Sequence, residues 1–163
     1  MLSLSKYSGY KQYWQTMATQ HVDIQGFKYG NADVLINGQK TDKAEVFLHA
    51  IPYERARYKG VNVDQQYRNK RARFAVYKKS VSRNSFIEEE ELLDFCEQVC
   101  SEIMGKIIYN DKKLMNVLID VNSIDMRPVE DVIGATKYVG VHCEFDVMDN
   151  PSMEYNPAKF NIT

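Results

Sequence analysis

Three aspartates offer the best prospect of catalysis in this chain of 163 residues. Asp120 and Asp125 fall near the end of one strand-like run, and Asp146 falls on the next. Two or three carboxylates on neighbouring strand ends are what a magnesium-dependent nuclease requires. The pattern is incomplete, because Asp120 interrupts an apolar run and no acid-x-Lys triplet on a buried strand accompanies it. Cys96 and Cys100 stand four apart and could touch a metal only with two further ligands, so they read as small buried apolar side chains. His21, His49 and His142 are isolated, with no H-x-x-x-H or H-E-x-x-H spacing for zinc. The eight glycines contain no G-x-G pair and no G-K-[ST] cradle for phosphate. Ser82 and Ser101 lack the strained turn and adjacent base of a nucleophile. The chain is therefore read as non-enzymatic, with no catalytic, cofactor-binding or metal-binding residue.

Charge is the stronger signal. The net charge of −1 conceals a basic stretch from Tyr53 to Arg83 with ten Lys or Arg against Glu54 and Asp64. From Glu88 to Glu102 the sign reverses, with seven acids and no basic residue. Tyr53, Tyr58 and Tyr67 interleave with Arg55, Arg57, Arg68 and Arg71, a mixture that could track phosphates and stack bases. A small nucleic-acid-binding module is thus one alternative, opposed by the overall charge. The reading adopted is self-association, in which Arg55, Arg57, Arg68, Lys70 and Arg71 of one copy meet Glu88, Glu89 and Glu91 of the next. Reversing Arg55, Arg57, Arg68 and Arg71 together is then expected to spare the fold.

These residues need elements to hold them. Tyr10, Tyr13, Trp14, Met17 and Ala18 recur at helical spacing, with Ser8 as a cap and turns at Gly26 and Gly30. Residues 44–51 are rich in strand formers and end at Pro52, while residues 73–78 alternate as a second strand. Between them, residues 53–72 are polar and read as a projecting arm or hairpin bent at Gly60–Val63. A long helix over Leu92–Ile108 is capped by Ser85 and ended by Asn110-Asp111. A strand follows at 117–121, then a crossing loop at 124–134. The last strand, 138–147, turns Val139, Val141, Cys143, Phe145 and Val147 inward and leaves His142 on the wetter face.

The expected fold is α+β: a mainly antiparallel sheet packed by one long helix, with the first helix at the edge. Residues 1–149 make one domain, and 150–163 an extended arm whose Tyr155 and Phe160 dock on a neighbour. No apolar run reaches the roughly 20 residues of a membrane span, and three cysteines suit a reducing cytoplasm.

This element order resembles the tail-terminator, or tail-completion, proteins of long-tailed bacteriophages. The local likenesses are the run Tyr10–Ala18 followed by Ile24–Phe27, and Val129–Gly134 leading into Tyr138–Phe145. The resemblance implies a structural virion protein made in the host cytoplasm. Such a protein forms a ring, usually of six subunits, at the head–tail junction. Its partners would be further copies and the adjoining tail-tube and neck or connector proteins, with non-specific contact to passing DNA.

Overall fold

The computed structural model describes residues 7–31, 44–53, 56–59, 67–80, 86–114, 118–133 and 136–149. Helix α1 (Tyr7–Gln20) precedes strands β1 (Gly26–Tyr29), β2 (Val46–Ile51), β3 (Ala56–Lys59) and β4 (Tyr67–Lys79). Helix α2 (Phe86–Leu114) then leads to β5 (Leu118–Ile133) and β6 (Thr136–Asp149). The six strands form one sheet in the order β1-β2-β4-β6-β5, with β3 pairing beside β4. The β1–β2 pair is parallel and the other pairs are antiparallel. The class is α+β.

Strand β4 organises the sheet. One of its edges is taken by β6 from Arg68 to Lys79. Its other edge is shared, with β3 on Tyr67–Lys70 and β2 on Arg73–Lys78. The β3–β4 hairpin therefore lies on the β2 side, and β5 closes the opposite edge.

Alternation sorts the two faces. Ala72, Phe74 and Val76 of β4, Leu48 and Ala50 of β2, and Val141, Cys143, Phe145 and Val147 of β6 face the helices and join one core. Helix α2 contributes Leu92, Cys96, Val99, Cys100, Ile103, Met104 and Ile107, the stripe expected from its periodicity. Helix α1 lies over the β1–β2 edge of the sheet, as expected, and still reaches the core. Trp14 is fully buried, its ring 4.8 Å from Phe74 and 6.5 Å from Phe145. The three thiols are buried, and Cys96 and Cys100 donate to the carbonyls of Val139 and Val141.

Several expectations are corrected. Helix α1 begins at Tyr7, so Ser8 lies inside it and not at its cap. Gly26 opens β1, whereas Gly30 turns the chain, with φ at 148° and its carbonyl accepting from His49. Asn110 and Asp111 do not end α2, which runs to Leu114. Their propensity cost is a fraction of about 1 kcal/mol each, against the buried Ile103, Met104 and Ile107 just before them. Ser85, the Gly60–Val63 bend and residues 150–163 lie outside the described residues.

The largest correction concerns residues 124–134, read as a crossing loop. They continue β5 as far as Ile133. Residues 121–124 bulge opposite Phe145, between the pairs Asp120↔Asp146 and Asp125↔Glu144. Asp120 accepts from the Asn122 backbone, and Ser123 donates to the Asp120 carbonyl while accepting from the Asp146 backbone. Pro128 is tolerated because an edge strand can spare one ladder donor.

The face away from the helices is also partly buried. Phe47 stacks on Tyr77 at 5.2 Å and meets Tyr138 edge-on at 5.5 Å. His142 is likewise buried, contrary to its expected surface position, and desolvation together with Arg127 holds its pKa below the usual histidine range. Gly140 sits across from Tyr77, and a Cβ there would lie 2.4 Å from the Val76 carbonyl oxygen. Gly105, exposed within α2, has nothing within 4 Å of such a Cβ. Gly140→Ala should therefore lower the urea-unfolding free energy by about 1–3 kcal/mol, while Gly105→Ala should raise it by up to about 1 kcal/mol. Equal shifts in the two denaturation curves would contradict this packing.

Candidate functional site

The basic segment divides on folding. Arg57, on β3, is exposed, and Arg68 is half-buried. Lys70 is 1% exposed, because strand alternation turns it to the helix side. Its ammonium lies 4.3 Å from the Tyr7 ring centre and 5.3 Å from that of Tyr53, so the charge rests over two aromatic faces. Arg71 donates to Asp146 at 3.0 Å and to Glu144 at 3.3 Å. The Asp146 hydrogen bond, outweighing desolvation, holds its guanidinium more firmly protonated. Lys70 is therefore corrected from an interface cation to a buried one, while Arg71 is paired within the subunit and keeps an exposed side chain. Arg55, Tyr155 and Phe160 lie outside the described residues.

Arg71 has a local task. β5 and β6 set acids directly opposite one another, Asp120 against Asp146 and Asp125 against Glu144. Like charges in that position repel. Arg71 bridges Asp146 and Glu144, Asn69 donates to Asp146 at 2.8 Å, and Arg127 approaches Glu144 at 3.9 Å. The candidate nuclease carboxylates are thus occupied with backbone and cations, and Asp125 stands exposed. Asp120, Asp125 and Asp146 do not gather as a ligand set. Among the described residues such a set forms at His21, Asp23 and Glu102. There the His21 ring meets Glu102 at 3.1 Å and accepts from the Asp23 backbone, fastening the end of α1 to α2.

The acidic helix keeps more of its charge for solvent. Glu88 and Glu89 lie in the first turn of α2, where the helix dipole favours them. Glu89 is bound by Lys137, which also reaches Glu130 at 3.3 Å; the Glu89 hydrogen bond raises the lysine's pKa. Glu89 is therefore already paired within the subunit. Glu90, Glu91, Asp94 and Glu97 are exposed.

Between α2 and β5 runs a groove of about 230 Å³. Glu90, Asp94 and Glu97 form its acidic wall, Arg127 stands opposite, and Leu93, Met126, Pro128 and Val141 supply apolar lining. The helical spacing of the acids was legible in the sequence. The lining from Met126 and Pro128 was not, because those residues had the composition of a loop. Lys78 packs its ammonium 3.9 Å from the Phe95 ring centre, a further cation of the basic segment turned inward.

No family model matches the chain, and no curated protein matches it. None of the helices among the described residues is long and apolar enough to cross a membrane.

Two measurements test this placement of charge and thiols. Arg71→Glu should destabilise the fold by about 1–3 kcal/mol, since it adds an acid to an acidic strand pair. Arg57→Glu should leave thermal unfolding within about 0.5 kcal/mol; equal losses would contradict the division. Desolvation raises the Cys96 and Cys143 thiols from 9.0 to about 12. Below pH 9 both states keep these thiols protonated; above it the unfolded chain ionises first, so stability should fall between pH 9 and 12. Replacing Cys96 and Cys143 by Ala should flatten that fall in pH-dependent denaturation.

Proposed function

We propose that this chain is a structural subunit that joins copies of itself head to tail, building a ring at the head–tail junction of a tailed bacteriophage. The observation that carries the reading is the placement of charge. The basic β3–β4 hairpin lies on one edge of the sheet, and the acidic side of α2 lies beside β5 on the other. Two different complementary surfaces on opposite sides of a subunit make a heterologous contact, and repetition of that contact closes a ring when the rotation permits. The order of elements supports the phage assignment: a leading helix, strands with a hairpin, a long helix, and two closing antiparallel strands.

The arrangement of the site supports recognition. Its acids line a surface groove, and its cations either point to solvent or are used for packing. Arg71 is paired with Asp146 and Glu144, two acids that a phosphate backbone would also have to approach. The second set of partners would be the tail-tube and neck proteins, with Tyr155 and Phe160 of the closing segment as docking side chains.

Negative-stain electron microscopy of the purified protein at low salt should show rings with a central hole, which cap tubes when tail-tube protein is added. Rising salt should dissolve them, because exposed charges are screened beyond about 8–10 Å. Monomers at every salt and protein concentration would overturn the reading.

A further inference from the structure

We infer that the groove between α2 and β5 is the socket for the β3–β4 hairpin of a neighbouring copy. This rests on the proposed head-to-tail assembly and specifies where it is made. The groove pairs an acidic wall (Glu90, Asp94, Glu97) with apolar lining (Leu93, Met126, Pro128, Val141), and the lining cation, Arg127, lies 3.9 Å from Glu144, so the acids remain in excess. Such a site selects a segment that carries cations and apolar side chains together. A purely basic peptide would leave the lining wet, and a purely apolar one would bury the acids unpaired.

The hairpin has both. Residues 55–68 contain Arg55, Arg57, Lys59 and Arg68 against Asp64, interleaved with Tyr58, Val61, Val63 and Tyr67. The closing segment 150–163 is a poorer occupant on charge, with Glu154 opposing Lys159. A subunit's own hairpin is separated from its groove by β4 and β6, since it pairs on the β2 side of β4. The contact is therefore made between copies.

Strand addition does not explain the contact equally well. The β5 edge carries Pro128, a bulge at 121–124 and the charged residues Asp125, Arg127 and Glu130. These are features that blunt an edge against another strand. The hairpin is accordingly received by side chains in the groove.

The test is a charge swap. Socket variant Glu90→Lys/Asp94→Lys/Glu97→Lys and hairpin variant Arg57→Glu/Lys59→Glu are each measured by sedimentation velocity at low salt, beside the wild type. Thermal melts monitored by circular dichroism check that each is folded. Each variant alone should self-associate at least about tenfold more weakly than the wild type. Mixed in equal amounts, they should assemble, because each acidic surface again meets a basic one. A gentler variant, Glu90→Gln/Asp94→Asn/Glu97→Gln, should fall between and serves if the lysine variant does not fold. If the wild type assembles and the socket variants assemble equally well, or the mixture stays dissociated, the socket is wrong while head-to-tail assembly stands. If the wild type itself remains monomeric, the proposed assembly fails as well.

Discussion

Pairing of β4 along both edges is the constraint from which the rest follows. With β6 occupying one edge from Arg68 to Lys79, β2 and β3 must share the other. That arrangement assigns the hairpin and β5 to opposite margins of the sheet. It also gives β4 two environments at once. Ala72, Phe74 and Val76 are covered by the helices, while Ala75 and Tyr77 enter the smaller aromatic cluster behind. A strand buried on both sides tolerates little change, and Gly140, lying opposite Tyr77, shows where the tolerance ends.

Charge in this protein is divided between holding the subunit together and facing outward. Lys70 over Tyr7 and Tyr53, Lys78 over Phe95, Arg71 on Asp146 and Lys137 on Glu89 all have partners within the subunit, Arg71 with its side chain still exposed. Each offsets a feature that would otherwise be costly, such as an ammonium turned toward the core or facing carboxylates. What remains outward is a smaller, spatially separated set. Arg57 stands on the hairpin, and Glu90, Glu91, Asp94 and Glu97 stand along α2. A sum over sequence segments cannot make this distinction. The segment from Tyr53 to Arg83 carries ten cations, yet strand alternation sends consecutive ones to opposite faces.

Much of the fold was legible because periodicity reports burial. The stripes on α1 and α2 and the inward set on β6 emerge as the core, and the three cysteines emerge as packing residues. Legibility failed where side-chain chemistry and backbone role part company. Residues 124–133 look like a loop because Asp125, Arg127, Pro128 and Glu130 are loop-like residues, but they are also residues suited to an edge strand. His142 followed the polar set of β6, although the aromatic cluster beside it makes that face half-dry. At the candidate site, the acidic helix face could be read directly, whereas the groove required the position of β5. The pairing of Asp120 beside a bulge and of Asp146 under Arg71 was not legible, because both depend on the register of β5 against β6 and β4.

The most direct measurement of head-to-tail contact is covalent capture in an Arg57→Cys/Asp94→Cys variant, whose introduced thiols are exposed while the native ones are buried. A short bismaleimide should yield a ladder of cross-linked oligomers that ends in one closed species. That ladder should vanish when either substitution is made alone. A product confined to single chains, or a ladder formed equally by each single variant, would contradict the account.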